Sequence, residues 1–480
     1  MRDHLRLFLN GHPLDVRGED AFLTLSDFLR KRQRLTGTKV VCAEGDCGSC
    51  SVLIGRASGD TIRYRTITSC IVSMAQLDGA HVVTVEGLKD GDELNPIQQA
   101  MVSCHGAQCG FCTPGFVVAL SQILDEDPHA SREKVCRGLV GNLCRCTGYD
   151  SILRAAELTP KDQLTPLHDR FDTKQILDEM RTLATDEVSM SLGEKRFYRP
   201  ATMAQATAFR AANPTCGIVS GSTDWGVALN KRALQPPVIL ILNGLVDQQR
   251  VELDPAGRSL RIGGSTVFTE VEAAANEHLP ELGRFLQWFG SPPIRNGATL
   301  AGNVATGSPI GDSLPCLMVM NAEIELASVR GTRRVNINDF YTGYRKTVMT
   351  PDELIAAVHL PLLGENERLK LYKVSKRKDL DIASFGAAIW IKLSGDLIED
   401  VRVAFGGVAA TIVRMTRVEE HLRGQTMSES LFAHAAAIAW RDIKPLSDVR
   451  GSTQYRCTLA ANVMRKAFVE LTDVPVAGGV

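Results

Sequence analysis

The chain has 480 residues, 44% hydrophobic and 23% charged, a length that at roughly 150 residues per domain predicts about three domains, each burying its own core. Its 54 Lys and Arg balance 55 Asp and Glu and no basic run stands out, which argues against nucleic acid or an anionic membrane surface as a partner. No apolar stretch approaches ~18 residues, and the N-terminus lacks a signal peptide's apolar core, so a cytoplasmic protein without a membrane span is expected.

In chain order, Leu5, Leu7, Leu9 and then Leu14, Val16 alternate about Asn10-Gly11 as a hairpin, and Ser26 to Arg32 reads as a capped amphipathic helix. With short strands around Val52 and Val83, this is a β-grasp-like pattern holding the loop from Cys42 to Cys50. Helical periodicity follows at residues 96–101, 114–124, 131–143 and 151–158, an all-α unit. In it Cys109 and Cys112 sit just before the Thr113-Pro114 helix start, while Cys144 and Cys146 end the third helix. Residues 161–194 are polar, without strand period, and read as a partly helical linker. Short strands at 217–220, 238–242 and 259–263 lead to a small-residue tract at 290–312. Strands at 354–360, 387–393 and 401–406 and helices at 427–439 and 458–471 complete an α+β pattern.

Ten of the 13 cysteines lie between Cys42 and Cys146, and in a reducing compartment such a cluster points to metal rather than disulfides. Cys42, Cys47 and Cys50 followed by Cys70 have the C-x4-C-x2-C…C spacing of plant-type [2Fe–2S] sites. A four-cysteine zinc site is the alternative, but three cysteines within nine residues suit a tetrahedron poorly. The second set, Cys109, Cys112, Cys144 and Cys146, has the less standard pattern C-x2-C with C-x-C. By itself it fits a zinc site or buried structural thiols as well as a cluster.

The motifs Cys42-Ala43-Glu44-Gly45-Asp46-Cys47-Gly48-Ser49-Cys50, Gln108-Cys109-Gly110-Phe111-Cys112-Thr113-Pro114-Gly115 and Gly141-Asn142-Leu143-Cys144-Arg145-Cys146-Thr147-Gly148-Tyr149 resemble the two iron–sulfur domains of the xanthine oxidase family of molybdenum hydroxylases. The resemblance implies two [2Fe–2S] clusters, one on Cys42, Cys47, Cys50 and Cys70 and one on Cys109, Cys112, Cys144 and Cys146. It also implies that Gln108 lies against molybdopterin. Val41 departs from the Gly common in relatives, and Cys104 and Cys136 are extra thiols read here as buried helix residues.

Ile218-Val219-Ser220-Gly221-Ser222-Thr223-Asp224-Trp225 puts a strand before a Gly/Ser/Thr turn suited to phosphate, or to an ordinary β-turn. The tract from Ala298 to Asp312 is rich in residues that let backbone approach a ligand. Both segments resemble the family's FAD domain, of the vanillyl-alcohol oxidase type. That likeness implies FAD contacts from Val219, Ser220, Gly221, Ser222, Thr223, Asp224 and Trp225, and from Thr299, Leu300, Ala301, Gly302 and Asn303. Asp312 and Lys373 would be polar contacts, and Phe289 and Ile355 apolar ones. Ala301, where Gly is common, and the pair Pro292-Pro293 depart from the pattern. Residues 376–381 match a charged loop that in relatives influences whether NAD or oxygen takes the electrons.

The expected layout is a plant-type ferredoxin domain at 1–90, a helical [2Fe–2S] domain at 91–160, a linker at 161–194, an FAD-binding domain at 195–365 and a C-terminal flavoprotein domain at 366–480. No catalytic residue for substrate oxidation is expected in this chain, because no triad or acid–base dyad emerges. The resemblance implies a small subunit of the xanthine dehydrogenase branch, working with a large molybdopterin-binding subunit in a two-plus-two heterotetramer. Electrons from hypoxanthine or xanthine would pass through the Cys109 set, the Cys42 set and FAD to NAD. The same relay serving an aldehyde or another N-heterocycle is the alternative, and a zinc-bound interaction scaffold a remote third.

Overall fold

A computed structural model describes residues 1–232, 236–254, 256 and 258–472. Asn10 (φ 51°) and Gly11 (φ 87°) both take the left-handed backbone of a tight hairpin, so Leu5–Leu9 folds back on His12–Val16. Leu5–Leu9 then pairs in parallel with His81–Val83, which pairs antiparallel with Ser51–Ser58, itself paired with Thr61–Thr68. The helical turn after the hairpin starts earlier than the sequence suggests. Thr24, not Ser26, is its cap, accepting from the Asp27 N–H at 3.2 Å.

Helices Pro96–Ser103, Thr113–Glu126, Arg132–Gly138 and Asp150–Leu158 follow, and Phe116, Leu120, Leu124 and Ile152 share one core with Leu53 and Val83 of the sheet. The third helix ends at Gly138, well before the predicted Leu143. The chain then passes through Gly141 at φ 101°, so Cys144 and Cys146 lie on a loop rather than at a helix end. The stretch read as a linker contains the helix Thr173–Leu183, whose Ile176, Leu177, Met180 and Leu183 are buried. Their spacing of 1, 4 and 7 is a helical face within otherwise polar sequence.

The chain divides into two compact units. One comprises Met1–Val246 with Gly290–Ala298, and the other Asp247–Phe289 with the described residues from Thr299 onward. The first unit also holds the sheet Val188–Leu192, Lys195–Arg199, Val238–Ile241, Gly217–Val219, in that spatial order. Beneath it the buried Asp78 carboxylate accepts from Arg2 at 2.6 Å and lies 3.2 Å from the buried Arg199. In the second unit one sheet runs in the order Val251–Asp254, Ser259–Gly263, Leu354–Pro361, Glu323–Ser328, Gly331–Asn336. Another runs Glu367–Val374, Phe385–Ser394, Leu397–Gly406, Val413–Arg414. Helices Glu429–Asp442 and Thr453–Thr472 cover it, and buried Ala435, Ala436, Ala460 and Ala461 let them pack closely. The architecture is thus α+β and multidomain. Among the described residues no helix is long and apolar enough to cross a membrane.

Candidate functional site

The Cys42–Cys50 loop turns on three left-handed residues, Ala43, Gly45 and Gly48, and this winding brings its thiols toward Cys70. The Cys42 thiol is within hydrogen-bonding reach of Cys47, and Cys50 of Cys70, with Cys42 also reaching Cys70. Donation from Cys47 and Cys70 pulls Cys42 far below the ordinary thiol range, and the same contact pushes Cys47 up. The Glu44 N–H points at Cys42 Sγ at 3.4 Å, and backbone N–H groups also face Cys47 and Cys70. Paired thiolates ringed by backbone donors are what an anionic two-iron cluster requires, so the residues present fit that group. Among the described residues no three His, Cys, Asp or Glu side chains are arranged as a single-ion site.

In the second set Cys109 pairs with Cys146 and Cys112 with Cys144. Cys112 caps the fourteen-residue helix Thr113–Glu126, whose N-terminal dipole favours negative charge there. Burial, then the neighbouring Cys144, pushes its thiol up to about 12. Burial opposes ionisation of Cys144 too, yet donors from Thr147 outweigh it and lower its pKa; Thr147 Oγ1 lies 3.0 Å from its Sγ. Cys109 and Cys146 are exposed, as is Gln108 beside them, and Phe111 is 54% exposed. Of the two extra thiols, Cys104 is buried as expected, but Cys136 is exposed, because its helix turns Val135 rather than Cys136 into the core.

The two quartet loops touch. The Leu143 N–H, one residue before Cys144, donates to the Cys47 carbonyl at 3.0 Å. A Cβ on Gly48 would lie 2.2 Å from Gly141 O, and one on Gly115 would lie 2.1 Å from Gly48 O, so only glycines allow this approach.

The residues expected to hold FAD form two groups, one in each unit. In the first, Gly217–Val219 leads through Ser220, Gly221 and Ser222 (φ 68°) into the helix Thr223–Asn230. The Gln76 amide donates to Ser220 O at 3.2 Å, and Trp225 packs against Gly217. In the second, Thr299 caps Leu300–Thr306 by accepting from the Gly302 N–H at 3.1 Å, with Leu300 and Ala301 buried. Asn303 Oδ1 accepts from Ser313 at 2.7 Å. Lys373 Nζ donates to Asp312 at 2.7 Å and to Trp288 O at 2.9 Å, and burial raises the Asp312 carboxyl despite that ammonium. Phe289 packs on Phe268 with ring centroids 4.1 Å apart, and buried Ile355 presents its carbonyl to Gly264.

Residues 84–157 match a family model described as a [2Fe-2S] binding domain, residues 190–363 the FAD binding domain in molybdopterin dehydrogenase, and residues 370–471 the CO dehydrogenase flavoprotein C-terminal domain. The chain is an iron–sulfur and FAD-binding module of the xanthine oxidase family of molybdenum hydroxylases. This molybdenum hydroxylase module is 29% identical to the xanthine dehydrogenase of Drosophila subobscura over 98% of its own length and 39% of that protein. It is 28% identical to aldehyde oxidase 2 of Rattus norvegicus, again over 98% of this chain and 39% of the relative. It therefore spans about two fifths of the length of the curated relatives it matches. A solved carbon monoxide dehydrogenase from Hydrogenophaga pseudoflava, described as lacking the Mo-pyranopterin moiety of its cofactor, shares the fold. The TM-score is 0.54 at 22% identity, over 56% of the module and 94% of that chain.

Several residues of the module carry no sequence signal of their own. Asn230 and Gln76 reach the backbone carbonyls of Cys70 and Ser220, and Gly226 lies directly against Ile71. Asn230 stands eight residues after Ser222, and that helical spacing is the one trace of its role.

Proposed function

We propose that the chain is the electron-relay subunit of a xanthine dehydrogenase, joined to a molybdopterin-binding subunit in a two-plus-two assembly and delivering electrons to NAD. In this reading Cys109, Cys112, Cys144 and Cys146 hold one [2Fe–2S] cluster, and Cys42, Cys47, Cys50 and Cys70 the other. FAD lies against residues 219–225, Phe289, Thr299, Leu300, Ala301, Gly302, Asn303, Asp312, Ile355 and Lys373. When bound, the clusters pass single electrons and FAD converts them into a two-electron transfer.

The observation that carries the reading is the Leu143 N–H to Cys47 carbonyl bond at 3.0 Å, which leaves one hydrogen bond between the backbones of two ligand sets. On the other side Ser222 Oγ, in the flavin turn, donates to Ile71 O at 2.9 Å, next to Cys70. The exposed side of the second set, with Gln108 and Phe111, is the face for the molybdopterin-bearing partner. Relatives named xanthine dehydrogenase support the purine substrate. The aldehyde oxidase match over the same 98% of the chain supports a second reading, the same relay for an aldehyde.

Metal, sulfide and flavin analysis of the purified chain tests this. About four irons, four sulfides and one FAD per chain, bleached by NADH, are expected. Zinc without flavin overturns the relay, and bleaching by dithionite but not NADH overturns NAD as acceptor.

A further inference from the structure

Ser222, Gly226 and Asn230, at positions i, i+4 and i+8, form one stripe along the helix Thr223–Asn230 and its cap. All three meet the same short segment of backbone. Ser222 Oγ donates to Ile71 O at 2.9 Å. A Cβ on Gly226 would lie 2.1 Å from that same oxygen, so the helix rests directly on Ile71. The Asn230 amide donates to Cys70 O at 2.8 Å and to Ala43 O at 2.9 Å. One side-chain NH2 thus ties the residue after Cys42 to Cys70, the two ends of the first quartet, and uses both of its protons to do so.

We infer that Asn230 is a positioning residue for the first quartet, and that this helix transmits occupancy of the flavin turn to it. The inference rests on the assignment of FAD to residues 219–225 and of a [2Fe–2S] cluster to the first quartet. At its start the helix carries the turn that closes on the flavin, and at its end it carries the amide that fixes two carbonyls of the cluster loop. Pinning the Ala43 carbonyl orients the peptide it shares with the Glu44 N–H, which is aimed at Cys42 Sγ at 3.4 Å, a contact that tunes such a cluster, and pinning the Cys70 carbonyl holds the other end of the quartet to the same side chain. A turn that shifts when FAD leaves would therefore move the Cys70 and Ala43 peptides through a single rigid element. The neighbouring Lys231–Glu44 pair, at 2.7 Å, is exposed on both sides and contributes little.

The test is electron paramagnetic resonance of the full chain reduced with dithionite, with FAD bound and after FAD has been stripped, for the wild type and Asn230→Ala. In the wild type, stripping is expected to shift the lines of the first cluster and leave those of the second in place. In Asn230→Ala the first cluster's lines are displaced from the outset and no longer respond to stripping, while the second cluster is unchanged. Selective loss of the first cluster's iron from this variant also supports the positioning role. Asn230→Ser, which keeps one donor, falls between the two, and Lys231→Met matches the wild type. Lines in Asn230→Ala that coincide with the wild type and respond identically to stripping overturn the inference while leaving the relay intact. Wild-type protein without iron or FAD overturns the relay itself, and the inference with it.

Discussion

Cys50 and Cys70 of the first quartet are each 2% exposed and lie under Ile71, Val227 and Ile294, whereas Cys109 and Cys146 of the second reach solvent beside Phe111. The second quartet is built from chain between Cys109 and Tyr149, so its neighbours are mostly local. The first draws part of its cover, Val227 and Ile294, from more than 150 positions further along the chain. An enclosed set of thiols needs many distant elements in place at once, while an open one depends mainly on its own loop. In the relay proposed above, the enclosed set would lie toward the flavin turn and the open one toward the molybdopterin-bearing partner.

The largest expected effect comes from merging the two environments. Gly48→Ala forces a side chain onto a φ of 67° and into Gly141 O, and it should cost about 3 kcal/mol or more, releasing iron from both quartets. An unchanged melting temperature and full iron content would refute the close approach. Next in size, a chelator with a mild oxidant should strip the second quartet first, so iron release is biphasic with about half lost early. Single-phase release, or early loss of the first cluster's spectrum, would contradict the difference in enclosure.

A smaller effect is a pH dependence of stability. His81, in the strand between Leu5–Leu9 and Ser51–Ser58, accepts from the Gly11 N–H at 2.9 Å on Nε2 and meets Tyr64 OH at 2.8 Å on Nδ1. Burial holds its pKa down to about 3. The unfolded chain takes up that proton near 6.5 and the native protein only near 3. Stability is therefore full above 6.5 and falls as pH drops through that window, by up to about 1.4 kcal/mol per pH unit. Urea titrations between pH 7 and pH 4 should show this slope, and His81→Gln should flatten it. The smallest effect is local. Thr147→Ala removes one hydrogen bond at Cys144 and should shift the second cluster's potential by on the order of 40 mV, leaving the first unmoved.

The thiols that the fold brings together were legible because each set includes closely spaced cysteines, Cys42, Cys47 and Cys50 in one and the pairs Cys109, Cys112 and Cys144, Cys146 in the other. Helix starts were legible where Pro or a capping side chain marks them, as at Thr113-Pro114. The end of the third helix at Gly138 was not, since Leu139, Val140 and Leu143 continue a helical rhythm while left-handed Gly141 breaks it. The helix Thr173–Leu183 was obscured by its polar face. Asn230 was invisible for a deeper reason. It acts 160 residues away on a backbone carbonyl, and every residue carries one, so no partner's identity reveals the contact.

Gly290–Ala298 belongs to the first unit although more than forty residues of the second precede it. Within the first unit, Ile294 covers Cys50 and Cys70, Ser291 sits against Gly141, and Asn296 donates to Thr66 O at 2.9 Å. On the ribosome, then, the iron–sulfur half emerges from the exit tunnel before its own cover has been synthesised. At roughly 5–20 residues per second the thiols of the first quartet wait on the order of tens of seconds for Ile294, an interval in which assembly machinery can reach them.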